Sequence, residues 1–249
     1  MSVKEVVKSL QHSKFAVGRV TYYFAKKVRL VAAFACNARY RWEYISANIL
    51  SGYQRSTFTK VSRYPVVFQK CRDFLYSTSS PKIMSFGCST GEEVLTLLHY
   101  IPNATIVGVD INSWCLKKAQ QAIKSDQCRF IHRTSTAFEE ADGFDAIFCM
   151  AVFQRTENRT SKDNSQAQGF LFENFEKEVL VLDKKLKKGG LLVIDNADFS
   201  FNDTSISEKY SPLAFEGNRI ERKRPLFDRN NQKVAESHFS FRVFVKYSE

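Results

Sequence analysis

From residue 82 onward, short apolar runs alternate with amphipathic stretches in a regular way. Segments 82–86, 105–110, 128–132 and 144–150 are near-continuous hydrophobic runs, the pattern of strands buried on both faces. Segments 91–100, 113–124 and 170–187 carry apolar residues at three-to-four spacing and predict helices, and 191–196 predicts a fifth strand. This βα alternation predicts an α/β fold, a doubly wound Rossmann-like sheet that is mostly parallel. At the end of the chain Phe239, Phe241, Val243, Val245 and Tyr247 alternate with Ser240, Arg242, Phe244 and Lys246. A period of two there predicts one further strand, antiparallel to its neighbours. Residues 1–50 read as helical, 51–60 as a polar break, and Tyr64-Pro65 as the start of a helix reaching about Tyr76. The expected division is a helical region over 1–60 and a second unit over 61–249.

Within this frame the densest chemistry lies in Ile83-Met84-Ser85-Phe86-Gly87-Cys88-Ser89-Thr90-Gly91-Glu92-Glu93. An apolar strand enters a tight Gly/Ser/Thr turn that opens a helix. Nineteen residues after Gly91, the next strand closes on Asp110. That layout makes a nucleoside pocket: small residues admit backbone close to the ligand, and the acid accepts from ribose hydroxyls. A dinucleotide fingerprint requires glycine where Ser89 and Glu92 stand, and Glu92-Glu93 would repel a pyrophosphate at the helix start. The turn therefore favours a cationic or zwitterionic nucleoside, of which S-adenosyl-L-methionine is the common one. Asp110 is the strongest single candidate, since a carboxylate closing an apolar strand costs desolvation unless it has a partner, and two ribose hydroxyls provide one.

The Gly87–Glu93 stretch resembles motif I of class I S-adenosylmethionine-dependent methyltransferases, in the variant of CheR-type chemotaxis-receptor glutamate methyltransferases. Phe144 to Val152 is similar to the fourth strand of that family, and Leu186 to Ile194 to its helix-turn-strand entry into strand five. The resemblance spans roughly 55–200 and implies a seven-stranded methyltransferase sheet with S-adenosyl-L-methionine as cofactor. It implies cofactor contacts from Gly87, Cys88, Ser89, Gly91, Glu92, Asp110 and Ile111, with Glu93 an alternative to Glu92 for the cofactor's ammonium. Thr134 and Ser135 fall where the superfamily contacts adenine, and Met150 and Ala151 lie under the methyl-transfer point. The CheR pattern has Arg-Asn at that last pair and a tyrosine where Arg155 stands. Ser56 to Lys60 is a degraded form of its Thr-x-Phe-Phe-Arg element, with Lys60 or Arg63 as the replacement cation. Arg155, just past the fourth strand, is the candidate catalytic residue, placed to clamp an anionic acceptor bidentately. The polar stretch Thr156 to Gly169 is long for a βα connection and reads as the acceptor-side rim.

Composition narrows the remaining choices. Hydrophobic residues make up 44% of 249, enough for a packed core, and no apolar run is long enough to cross a bilayer. The basic lead into Leu30–Cys36 is too long and too charged for a cleaved signal. Six cysteines without a Cys-x-x-Cys pair read as reduced thiols in a cytoplasmic protein. His99 and His132 read as structural, and no metal-ligand cluster stands out. With no evident general base, an acceptor that is already anionic is favoured, a carboxylate on a protein or small metabolite. The alternatives are O- or N-methylation of a small molecule, lipid or nucleic acid, and a non-catalytic binding protein of the same fold. Of the net charge of +11, residues 1–60 hold +9, from eleven Lys/Arg against Glu5 and Glu43. That segment is expected to meet an acidic protein or a membrane surface, and to stand apart from the cofactor pocket.

Overall fold

A computed structural model describes residues 16–48, 57, 59–155, 167, 169–222, 226–234 and 238–248. The helices are α1 (Ala16–Cys36), α2 (Ala38–Asn48), α3 (Pro65–Leu75), α4 (Glu92–Tyr100), α5 (Ser113–Ala122), α6 (Thr136–Glu140) and α7 (Phe172–Lys185). The strands are β1 (Lys82–Phe86), β2 (Thr105–Asp110), β3 (Cys128–His132), β4 (Phe144–Met150), β5 (Leu186–Asp195), β6 (Tyr210–Pro212), β7 (Arg219–Arg222), β8 (His238–Phe241) and β9 (Val243–Lys246). Seven of them form one sheet in the order β3-β2-β1-β4-β5-β9-β6, and β7 pairs with β8 in a separate ribbon. Neighbours from β3 to β5 are parallel, while β9 runs antiparallel to both β5 and β6. This is the expected Rossmann-like methyltransferase sheet.

Alternation within the apolar runs explains why the strands lack a polar face. Met84, Phe86, Val107, Val109, Ile147, Cys149, Leu192 and Ile194 pack on one side, with Phe138 of α6 and Phe175, Val179 and Leu182 of α7. Ile83, Ile106, Ala146, Phe148, Leu191 and Val193 pack on the other, with Val67, Phe68, Val94, Leu97 and Leu116 of α3, α4 and α5. Both faces are covered, so both sets of alternating positions must be apolar.

Two elements differ from the sequence expectation. Helix α7 ends at Lys185, and Leu186 already pairs with Phe144 before Leu191 pairs with Ala146. The Lys187–Gly190 segment is therefore a bulge inside β5, with Gly189 at φ +80°. The expected C-terminal strand is two strands, broken at Arg242. Asn218 causes the break: its Oδ1 accepts from the N–H groups of Arg242 (2.9 Å) and Val243 (2.8 Å). Its Nδ2 donates to the carbonyls of Leu213 (2.7 Å) and Val243 (2.9 Å). A side-chain amide thus stands in for ladder bonds and sends β8 away to the ribbon. The short α6, capped by Ser135, and strands β6 and β7 were not anticipated from periodicity, being five residues or fewer.

The helical reading of 1–50 is met over Ala16–Asn48, interrupted at Asn37, whose Oδ1 accepts from Tyr40 N–H (3.1 Å). Residues 1–15 and most of 51–60 lie outside the described residues, as do 156–166 and 168 of the rim segment. Among the described residues no helix is long and apolar enough to cross a membrane. All six cysteines are free, four of them buried.

Asn218→Ala removes four hydrogen bonds to backbone groups, two of them buried. The expected loss is about 2–4 kcal/mol of stability in chemical denaturation, with cofactor-side residues untouched. A change below about 0.5 kcal/mol, the range of ordinary surface substitutions, would remove Asn218 from the role of strand breaker.

Candidate active site

The site lies at the carboxyl ends of β1, β2, β4 and β5, where the strand order reverses direction around β1. The turn after β1 is built from the left-handed region: Gly87 has φ +81°, Ser89 +49° and Gly91 +97°. The N–H groups of Gly87 and Cys88 both donate to the Val109 carbonyl, at 2.7 and 3.0 Å, which folds the turn back over β2. A Cβ on Gly87 would lie 2.6 Å from Cγ2 of Val152, and one on Gly91 would lie 2.8 Å from Cδ1 of Ile123. The glycines are thus demanded by conformation, as the tight turn requires, and by protein packing against Val152 and Ile123.

Asp110 ends β2, with Oδ2 2.8 Å from the N–H of Ser89 and Oδ1 2.8 Å from the N–H of Asn112. Burial pushes its carboxyl up from the ordinary value, opposed by the N–H groups of Asn112, Ser89 and Ile111 and by His132. A carboxylate accepts up to about four hydrogen bonds, so with three N–H groups against it Asp110 keeps capacity for a hydroxyl donor. The Ile111 carbonyl lies 2.8 Å from His132 Nε2, and His132 Nδ1 lies 2.9 Å from the Thr134 hydroxyl. Ser135 caps α6, accepting from Phe138 N–H (3.3 Å) and donating to the His132 carbonyl (2.7 Å). Thr134 and Ser135 therefore stand beside Asp110 with their hydroxyls already engaged, which leaves backbone as the surface they offer.

The two glutamates diverge. The Thr90 hydroxyl lies 2.9 and 2.7 Å from the two carboxylate oxygens of Glu92. Glu93 turns inward and accepts from the buried Ser85 hydroxyl at 2.7 Å. Burial raises its carboxyl to about 8, with the Ser85 bond and the Arg63 charge pulling the other way. Near it the Tyr64 hydroxyl accepts from Asn196 Nδ2 at 2.8 Å, and burial raises the tyrosine, with Asp195 and Glu93 adding to the shift. Asn196 has φ +53° directly after β5. The Tyr64–Asn196 pair escaped the sequence reading because 132 residues separate its members. Motif I position and a neighbouring buried serine were the signals available for Glu93.

Met150 and Ala151 close β4, both buried, with Ala151 at φ +63°. The Ala151 N–H donates to the Asp195 carbonyl (2.8 Å), and its own carbonyl accepts from Gln154 Nε2 (2.6 Å). Arg155 is buried: its N–H donates to Asp198 Oδ2 (2.7 Å) and Nη2 to the Gly169 carbonyl (3.3 Å). That placement ties the segment after β4 to the entry of α7, a positioning geometry where a clamp on the acceptor is expected from the sequence. Thr57, by contrast, comes to the cofactor turn, its carbonyl accepting from the Ser89 hydroxyl at 3.0 Å. Arg39 of α2 donates to the Thr57 hydroxyl (2.8 Å), so the N-terminal region reaches the turn that it was expected to leave alone.

The residues present fit S-adenosylmethionine. Asp110 offers lone pairs for ribose, Glu93 is a half-buried acid suited to a cation, and the turn between them is free of bulky side chains. Among the described residues no group of His, Cys, Asp and Glu is arranged to hold a metal.

Residues 83–165 match the family model described as "Methyltransferase domain". Among solved structures, the chain is similar to precorrin-6y C5,15-methyltransferase from Geobacter metallireducens at 14% identity and TM-score 0.45, covering 77% of this chain and 94% of that one. TehB from Haemophilus influenzae matches at 15% and TM-score 0.44, over 71% of this chain and 61% of that one. PKMT2 from Rickettsia typhi matches at 19% and TM-score 0.40, over 55% of this chain, which spans only 26% of that protein's length. The matched segment, a third of the chain, contains the Gly87–Gly91 turn, Asp110 and β4, so the cofactor side of the site lies in a stretch similar to a methyltransferase domain.

Proposed function

We propose that the protein is an S-adenosylmethionine-dependent methyltransferase that acts on a carboxylate of a protein or small metabolite, in the manner of the CheR type. The observation that carries the reading is the position of Arg63, an exposed guanidinium 5.4 Å from the Tyr64 ring centroid whose charge reaches both Tyr64 and Glu93. A cation at that point can draw in an anionic acceptor and hold it without bringing a base. It is the residue, with Lys60, that the degraded Thr-x-Phe-Phe-Arg element offered. The Tyr64 hydroxyl and the Asn196 amide supply neutral hydrogen bonds beside it.

When bound, S-adenosylmethionine supplies an electrophilic methyl group on a sulfonium. In this reading Asp110 accepts from the ribose hydroxyls while still held by Ser89 and Asn112. Glu93, in preference to Glu92, meets the ammonium, since it is the acid turned toward Ser85 whose charge is disfavoured until a cation arrives. Gly87, Cys88, Ser89, Gly91 and Ile111 present backbone, Thr134 and Ser135 flank the adenine side, and Met150 and Ala151 exclude water under the methyl group. Arg155 acts through position, holding the 151–155 segment by its bonds to Asp198 and Gly169.

Labelled methyl transferred by the enzyme is expected to be released as methanol by mild alkali, the behaviour of a carboxyl ester. Alkali-stable label would shift the acceptor to a hydroxyl or nitrogen and leave the cofactor assignments standing. Asp110→Ala should weaken cofactor binding about ten- to a hundredfold by calorimetry while the protein stays folded. Unchanged affinity in a folded variant would take Asp110 out of the ribose site.

Glu93 adds a pH signature with a definite sign. Its folded value, about 8, lies above the ordinary carboxylate value, so the cofactor-free fold holds this proton more tightly than the unfolded chain. Stability from this group is full below the ordinary value and is lost as pH rises through about 8. Without cofactor, Glu93→Gln should therefore gain thermal stability over wild type at alkaline pH and match it in acid. With cofactor, the affinity advantage of wild type over Glu93→Gln should grow as pH rises toward 8. A constant ratio across that range would remove Glu93 as the ammonium's partner.

A further inference from the structure

Helix α1 (Ala16–Cys36) is built of two kinds of residue that rarely share an exposed helix. Val17, Val20, Phe24, Val28 and Val31 recur at spacings of three and four, which puts them on one stripe within roughly a third of the helix circumference. All five are between 52 and 76% exposed. Tyr22, opposite the stripe, and Ala25, on its flank, are half-buried, so the stripe does not point into the protein. The same helix carries Arg19, Lys26, Lys27 and Arg29 and not one Asp or Glu. Lys26, Lys27 and Arg29 are exposed, Lys27 beside the apolar stripe and the others around the remaining arc.

We infer that α1 is an interfacial anchor that lies flat on an anionic lipid surface, with the Val/Phe stripe in the acyl boundary and the cations among the headgroups. Two features select this occupant. An apolar row about 20 Å long would gain nothing from nucleic acid, whose contacts are phosphates and base edges. A second copy of the chain would bring four more cations against the first four, with no acid on α1 to offset them. A lipid surface meets both halves of the helix at once, since burial of apolar area and attraction to anionic headgroups add. The lysine stems can follow the stripe while their ammonium groups reach outward. The helix lies on the surface and does not cross it, being neither apolar enough nor free enough of charge.

The test is flotation of the full chain with vesicles of phosphatidylcholine alone and of phosphatidylcholine mixed with phosphatidylglycerol. The chain is expected to float with the anionic vesicles at low salt, several-fold less at physiological salt, and little with the neutral ones. Phe24→Ser with Val28→Ser should lower partition at least about tenfold. Lys26→Gln with Lys27→Gln and Arg29→Gln should abolish the preference for anionic vesicles while leaving the apolar stripe intact. Both variants keep the cofactor residues, so calorimetry with S-adenosylmethionine verifies that each is folded. Equal partition of wild type onto both vesicle types would overturn the proposal. So would partition unmoved by the charge variant, or binding to an acidic polypeptide such as polyglutamate with none to vesicles.

Discussion

One half-buried carboxylate fixes the shape of the cofactor side. Asp110 is held between the N–H groups of Ser89 and Asn112, each 2.8 Å from a different oxygen. Main-chain dipoles so replace the water lost on burial, and a rigid planar group becomes the strut between two turns. Ser89, drawn toward Asp110, is held at φ +49°, and its hydroxyl is turned to the carbonyl of Thr57. Asn112, fixed through its N–H, caps α5 by accepting from Trp114 and Cys115. The β1–α4 turn, the β2–α5 turn and the segment at Thr57 all take their positions from this one group.

The glycines beside it show how packing and function can demand the same residue from opposite sides. Gly87 is required at φ +81°, and a side chain there would run into Val152. Val152 follows Ala151, itself held at φ +63° by its N–H bond to Asp195. The turn after β1 and the turn after β4 are therefore locked face to face. A floor of that kind gives a cofactor a surface that does not need to rearrange on binding.

The sheet was legible in the sequence because parallel strands covered on both faces must be apolar throughout, and these runs are. The motif was legible for the same local reason: strand, turn, helix start and the next strand's acid lie within thirty residues. What stayed hidden is what depends on contacts between distant segments. Tyr64 and Asn196 meet only because β5 lies two strands away from β1 in the sheet. The alternation over 239–247 was real, yet Asn218 cuts it at Arg242, and an isolated asparagine gives no warning of that. Arg155 was rightly placed beyond β4, but the direction of its side chain depends on Asp198 and Gly169, which no local pattern announces. The bulge at Gly189 falls inside the Gly-Gly turn that had been read as a boundary, since Leu186 can pair with Phe144 only if the intervening residues loop out.

The two ends of the sheet use charge in opposite ways. At the amino end of β5, Lys246 Nζ lies 3.1 Å from Asp183 Oδ1 and donates to the carbonyls of Asp183 and Leu186. Tyr210 donates to the same carboxylate at 2.7 Å, and Lys185 donates to the carbonyls of Phe138, Glu139 and Ala141. These buried cations are met by acids and carbonyls from their own fold, so nothing is left for a ligand to supply. At the carboxyl end Glu93 is met by the neutral Ser85 hydroxyl, and its proton is retained to about pH 8. A hydroxyl repays part of the desolvation of a carboxylate, while an ion in contact would repay far more. The amino end is thus finished by the protein alone, and the carboxyl end keeps an electrostatic deficit that a cation from outside would fill. A fold whose stability rests on the first end can carry that deficit at the second, which is where open α/β sheets bind their ligands.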